Sequence, residues 1–143
     1  MTTGTNIEQA VPFFAVSNME ASLRFYIDGL GFEIKDHWLD GGTVRWCWLK
    51  LGYAGLMLQD FRRDNGQTWR PEGELGLGVS IMFICKDATQ IYREVSARGI
   101  KASTPVFGNG MWVTSLWDPD GYRIEFESPT DVPEDCIYYN RSV

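Results

Sequence analysis

Histidine is almost missing from this chain: His37 is the only one in 143 residues, so no centre built on several imidazoles can form within it. Cysteine is scarce and odd in number. Cys47, Cys85 and Cys136 are too widely spaced for a zinc site and give no disulfide framework. Cys47 and Cys85 lie in apolar strand-like runs, where buried free thiols are common, while Cys136 follows the acidic "PED" and is expected at the surface. That usage fits a reducing cytoplasm. Basic residues fall short of acidic ones, 13 against 19, for a net charge of −6, and they form no stripe. Nucleic acid and anionic membranes reward clustered Lys and Arg, so neither is expected as a partner. No apolar run approaches the roughly 20 residues of a membrane helix. The opening "MTTGTNIEQA" has no basic segment ahead of an apolar one, so no signal peptide is read there.

Hydrophobic residues make up 44% of the sequence, enough for one domain with a real core. Aromatics reach 14%, with six Trp. Each indole N–H wants a partner, so such a cluster suggests a cavity or interface as well as a core. From Val11 the pattern runs strand, helix, strand, strand, strand. "VPFFAV" is a short apolar strand. "SNMEASLRFYIDGLG" follows as a helix capped at Ser17 or Asn18, with Met19, Leu23, Tyr26, Ile27 and Leu30 at helical spacing. "FEIKDHWL", "TVRWCWLKL" and "AGLMLQD" then read as strands broken by "DGG" and "GY".

The order repeats after a polar, Gly-rich stretch from Phe61 to Gly78 that has Trp69 in its middle. "VSIMFICK" is a strand, and "DATQIYREVSARG" is a helix capped by Asp87 and stopped by Gly99. "IKASTPVF", "MWVTSLW" and "YRIEFE" complete the set. The match is one of order and element length, since few residues are identical. The expected fold is therefore α+β: two βαβββ modules forming a half-barrel with a concave sheet face and outer helices. Its parts are a tail over 1–10, module one over 11–60, a linker or pocket flap over 61–78, module two over 79–128, and a tail over 129–143.

The segment "VPFFAVSNMEASLRFYIDGLGFEI", the paired βαβββ order and "DPDGYRIEF" resemble the vicinal oxygen chelate superfamily. That family includes glyoxalase I, extradiol dioxygenases, fosfomycin-modifying thiol transferases and bleomycin-resistance proteins. The resemblance spans about Val11 to Ser128 and speaks for fold more than for reaction. It implies that a metal, in members that use one, is held at the first and last strands of each module. Here those positions fall at Val11, Met57, Ser80 and Glu125, with Gln59 replacing Met57 if the register slips. Of these only Glu125 is a good donor for a divalent ion. His37 falls in the second strand, away from every such position. The expectation is a centre without metal and without a cofactor, a divalent ion being the alternative.

Alternation predicts the lined face. It takes Phe13 and Ala15 from the first strand, Met57 and Gln59 from the fourth, Ser80, Met82 and Ile84 from the fifth, and Arg123, Glu125 and Glu127 from the last. For the middle strands the sequence leaves both faces open: Trp46 and Trp48 against Arg45 and Cys47, and Met111, Val113, Ser115 and Trp117 against Trp112, Thr114 and Leu116. The candidate ligand-binding set is thus Phe13, Trp46, Trp48, Met57, Gln59, Trp69, Ser80, Met82, Trp112, Arg123 and Glu125, with no catalytic residue assigned. Met adapts to irregular shapes and Trp stacks broadly and attracts cations, so a bulky planar or cationic organic compound suits them, with Glu125 anchoring its positive or hydrogen-bond-donating group. The resemblance adds a bleomycin-resistance-like role in binding rather than in catalysis, and a homodimer. Two other readings stand beside it: a metal-dependent lyase, isomerase, dioxygenase or thiol transferase with Glu125 as ligand, and a metal-free enzyme with Glu125 as base. Arg123, two residues from Glu125, decides between an ionised carboxylate and a protonated or poised one.

Overall fold

In the computed structural model, residues 4–62, 68–133 and 138 are described. Cys136 and Tyr139 lie outside them. Two four-stranded mixed sheets carry the chain. The first is ordered β1-β4-β3-β2, from β1 (Phe13–Val16), β2 (Glu33–Asp40), β3 (Thr43–Leu51) and β4 (Ala54–Asp60). The second, β5-β8-β7-β6, uses β5 (Ser80–Ile84), β6 (Val106–Gly108), β7 (Met111–Trp117) and β8 (Arg123–Pro129). In each sheet the first strand runs parallel to the last and the remaining pairs are antiparallel. The same order of elements in both halves is the α+β architecture that the repeat predicts.

The helices lie between first and second strands. In α1 (Met19–Leu23) the side chain of Asn18 accepts from the Ala21 N–H, which chooses Asn18 over Ser17 as the cap. Apolar spacing predicts one continuous helix, but from Arg24 to Gly29 the turn widens into a π-helix, with Leu30 N donating to the Phe25 carbonyl. Side-chain periodicity does not distinguish a turn of 3.6 residues from a slightly wider one over so short a span. The second helix, α2 (Ala88–Ala97), starts at Asp87, whose carboxylate accepts from the N–H groups of Thr89 and Gln90.

Three strands are shorter than the sequence suggests, and β5 keeps only Ser80–Ile84 of "VSIMFICK". β1 begins at Phe13 rather than Val11, because Pro12 has no N–H to give, although its carbonyl still accepts from Met57 N. Only the end of "IKASTPVF" is strand: Ile100 N caps α2 through the Val95 carbonyl, and Pro105 cannot donate to a ladder.

One hydrophobic core runs under both sheets on their helix sides. It joins Phe14, Val16, Cys47, Leu49, Leu56 and Leu58 to Phe83, Leu116, Ile124 and Phe126, with Tyr26, Phe32 and Val95 from the helical layer. The two modules are riveted together there. Phe14 stacks on Tyr122 at 4.0 Å, and Phe32 meets Phe83 edge-on at 5.7 Å. Arg98 donates to the Gly29 carbonyl at 2.9 Å, and Ile100 occupies the space a side chain on Gly29 would need. Burial of the helix-side residues leaves the opposite face of each sheet for other work.

Candidate functional site

The turn Asp118–Tyr122 sets the register of the second sheet. One oxygen of the buried Asp118 carboxylate accepts from the backbone N–H of Asp120 and Tyr122, both at 2.9 Å, and the other accepts from Tyr26 Oη at 2.8 Å. Gly121, at φ +92°, takes the left-handed backbone that closes the turn. Burial, more than any neighbouring group, raises the Asp118 pKa against the pull of those three donors. With the turn fixed, Trp117 pairs with Arg123 and Ser115 with Glu125 across the hairpin, while Ser80 and Met82 lie beside Arg123 and Glu125 on the other flank.

That register answers what surrounds Glu125. Its Oε1 accepts from Ser80 Oγ, and its Oε2 accepts from Ser115 Oγ at 2.8 Å and from Arg123 Nη2 at 3.2 Å. Burial pushes its pKa up, but the two serine hydroxyls and the guanidinium outweigh that, and the net direction is down. Glu125 is therefore an ionised carboxylate with both oxygens engaged. Such a group is a weak base. Arg123 is half exposed, and while it donates to Glu125 its guanidinium carbon lies 5.6 Å from the centroid of the Trp117 ring.

The segment before β5 walls this end of the sheet. Leu75, Gly76, Leu77, Gly78 and Val79 face Trp117, Gly121 and Arg123 across a cleft of about 440 Å³. Through Leu75, Leu77, Trp117 and Gly121 it continues into a cleft of about 730 Å³ reaching Phe61, Arg70 and Glu74. The strap is anchored at Gly76, whose φ is +78° and where a Cβ would stand 2.9 Å from Tyr122 Cδ1. Only glycine lets the backbone lie that close. Trp69, expected in the ligand set, lies in this stretch near Phe61, with ring centroids 6.4 Å apart.

The first sheet brings five more of the predicted residues to one face. Parallel pairing of β1 with β4 and the tight β3–β4 hairpin align Phe13, Met57 and Trp48 in one row and Ala15, Gln59 and Trp46 in the next. Arg45 and Cys47 take the buried side, which closes the question for β3. Lys35 Nζ sits 3.7 Å above the Trp48 ring. In β7 the answer goes against one expectation: Trp112 shares its face with Thr114 and Leu116, packs against the core and Phe107, and meets Tyr138 at 5.9 Å. It does not join the other candidates. Ser115 and Trp117 take its place, two residues outside the predicted set. Counting outward from the "DPDG" turn would have found them.

The metal positions implied by the resemblance do not make a site. Val11 precedes β1 and has no donor, Met57 offers a thioether, and Ser80 spends its hydroxyl on Glu125. His37 pairs with Cys47, which puts it on the face opposite Trp46 and Trp48. Among the described residues no group of three or more His, Cys, Asp or Glu could hold a metal ion. The donor set does not fit a divalent ion.

Comparison with known proteins agrees with this fold. Residues 7–126 match the Glyoxalase/Bleomycin resistance protein/Dioxygenase superfamily. No curated protein matches the chain. Among solved structures, TnmS3, an antibiotic binding protein from Streptomyces sp. CB03234, is similar at 19% identity and a TM-score of 0.68, over 89% of this chain and 100% of that one. A glyoxalase/bleomycin resistance protein/dioxygenase from Nocardioides is similar at 18% identity and a TM-score of 0.68, covering 96% of this chain and 93% of that one. TioX from Micromonospora sp. ML1 follows at 17% identity and a TM-score of 0.66, over 85% and 98% of the two chains.

Proposed function

The chain belongs to the Glyoxalase/Bleomycin resistance protein/Dioxygenase superfamily, and from that premise we propose that it is a binding protein for a bulky planar organic compound, held without a metal. One observation carries the reading. The outer sheet faces present aromatic and thioether side chains to solvent, while the carboxylate at the implied metal position, Glu125, has both oxygens already engaged. Phe13 is 54% exposed, Met82 46% and Trp117 50%. Exposed apolar side chains of this size mark surfaces that a ligand or a partner covers. A lowered pKa on Glu125 counts against its use as a general base, which works best with a pKa near the operating pH. The antibiotic-binding neighbour TnmS3 is in keeping with such a role.

Ile84 and Val106, 67% and 61% exposed on the same outer face as Met82, extend the apolar surface beyond what one small molecule covers. A second copy of the chain would bury the remainder, so the working form is a homodimer. Free Cys47 and Cys85 suit a reducing cytoplasm as its place of action.

The test is a thermal-shift and tryptophan-quenching screen against planar antibiotics and dyes, run in chelator and again with zinc, nickel, iron or manganese. Saturable quenching in chelator is the expected result. Stabilisation that appears only with a metal, together with stoichiometric metal in the purified protein, would overturn the reading in favour of a metal-dependent enzyme.

A further inference from the structure

At the strap end of the second sheet the charge offered to a ligand is positive; the other carboxylate of that face, Glu127, lies four residues further along β8, beside Ile84 and Val113. Although Glu125 lies at the middle of the outer face, it is 6% exposed and its oxygens are taken by Ser80, Ser115 and Arg123. The half-exposed charge beside it is Arg123, which lines the cleft between the strap and β7–β8 together with Ser80, Trp117, Leu75 and Leu77. A guanidinium has five N–H donors. Among the described residues Arg123 forms one ion pair, through Nη2 toward Glu125. The remaining donors sit beside an indole ring with half its surface free.

We propose that this cleft takes a planar aromatic compound bearing an acidic group, a carboxylate or an acidic phenol, with the ring against Trp117 and the anion on Arg123. The inference rests on the binding role proposed above and names the polarity of its ligand. Planar oxygen acceptors match the guanidinium fork, and the flat ring matches the slot between Trp117 and the leucines of the strap. Other charges near the slot do not reverse its sign. Asp120 directs both oxygens to the Ser17 N–H, at 3.2 and 3.1 Å. Arg70 and Glu74, of opposite charge, both line the adjoining wider cleft. The protein as a whole carries −6, so an anion gains here a local attraction that the average field of the chain opposes.

Three probes of one shape and different charge separate the possibilities: anthracene carboxylate, anthracene methanol and aminoacridine, each titrated by tryptophan quenching into the full chain. The carboxylate is expected to bind about tenfold more tightly than the alcohol, a difference of about 1.4 kcal/mol, and to weaken as salt is raised. Arg123→Gln should bring the ratio of carboxylate to alcohol affinity, read within the variant, close to one. Because the margin is read first in the unaltered protein, a poorly folded variant does not spoil the test. Equal binding of all three probes, or preference for the aminoacridine cation, would sink the charge assignment and leave the binding role standing. Failure of every probe to bind would take both down.

Discussion

Replacing Glu125 by Gln perturbs the centre of the second sheet while keeping its shape. In the parent, Ser80, Ser115 and Arg123 all donate to the carboxylate. Hydrogen bonds to a buried ion are worth about 1.5–3 kcal/mol each, against about 1 for neutral ones. Glutamine retains one acceptor oxygen, and one serine can rotate to accept from its amide, so both serine contacts survive as neutral bonds. The loss is then about 1 kcal/mol for each, or roughly 2 in total. Arg123 adds little, because its side chain is 47% exposed and water screens the pair. For a chain of this size, roughly 2 kcal/mol lowers Tm by about 4–8 °C. The pH dependence gives a sharper check. A carboxylate whose folded pKa is lowered stabilises fully above its ordinary value of 4.5 and loses that stabilisation as pH falls through the lowered one. Urea unfolding of parent and variant should therefore show a gap at neutral pH that closes on acidification below about pH 4. A gap that persists unchanged in acid, or a variant as stable as the parent at pH 7, would refute the assignment of Glu125 as an ionised, three-donor carboxylate.

Two further substitutions test the parts that hold this centre in place. Tyr26→Phe removes a buried donor to Asp118 that ties the first module to the turn of the second, and should cost about 1.5–3 kcal/mol. Chemical denaturation measures it, and a cost near zero would mean the turn holds itself. Gly76→Ala puts a Cβ 2.9 Å from Tyr122 Cδ1 on a backbone at φ +78°. It should lift the strap off the turn, destabilise by more than about 1 kcal/mol and weaken binding of the anthracene carboxylate probe, read by tryptophan quenching; binding at parental strength would show that the strap contributes no wall.

The sequence by itself determined the order of elements, because hydrophobic periods of 2.0 and 3.6 and the turn residues between them act within a few residues of chain. It also determined that no multi-histidine centre forms within the chain, since no folding can supply imidazoles that are not encoded. "DPDG" and "GY" are short enough turns that cross-strand partners follow by counting, so the facing of Trp48 and Trp117 was legible in principle. Tertiary structure alone decided the rest. Glu125 owes its ionisation to Ser80, 45 residues away in sequence, and to Ser115 on a neighbouring strand. The closeness of the strap to Trp117 depends on Gly76 meeting Tyr122, a contact between segments that no local pattern links. Trp112 went to the core although its composition matched the other tryptophans, because sidedness is set by register against a partner strand and not by the residue itself. Local periodicity reports what each element is; the field and the solvent exposure at an atom depend on which distant elements surround it.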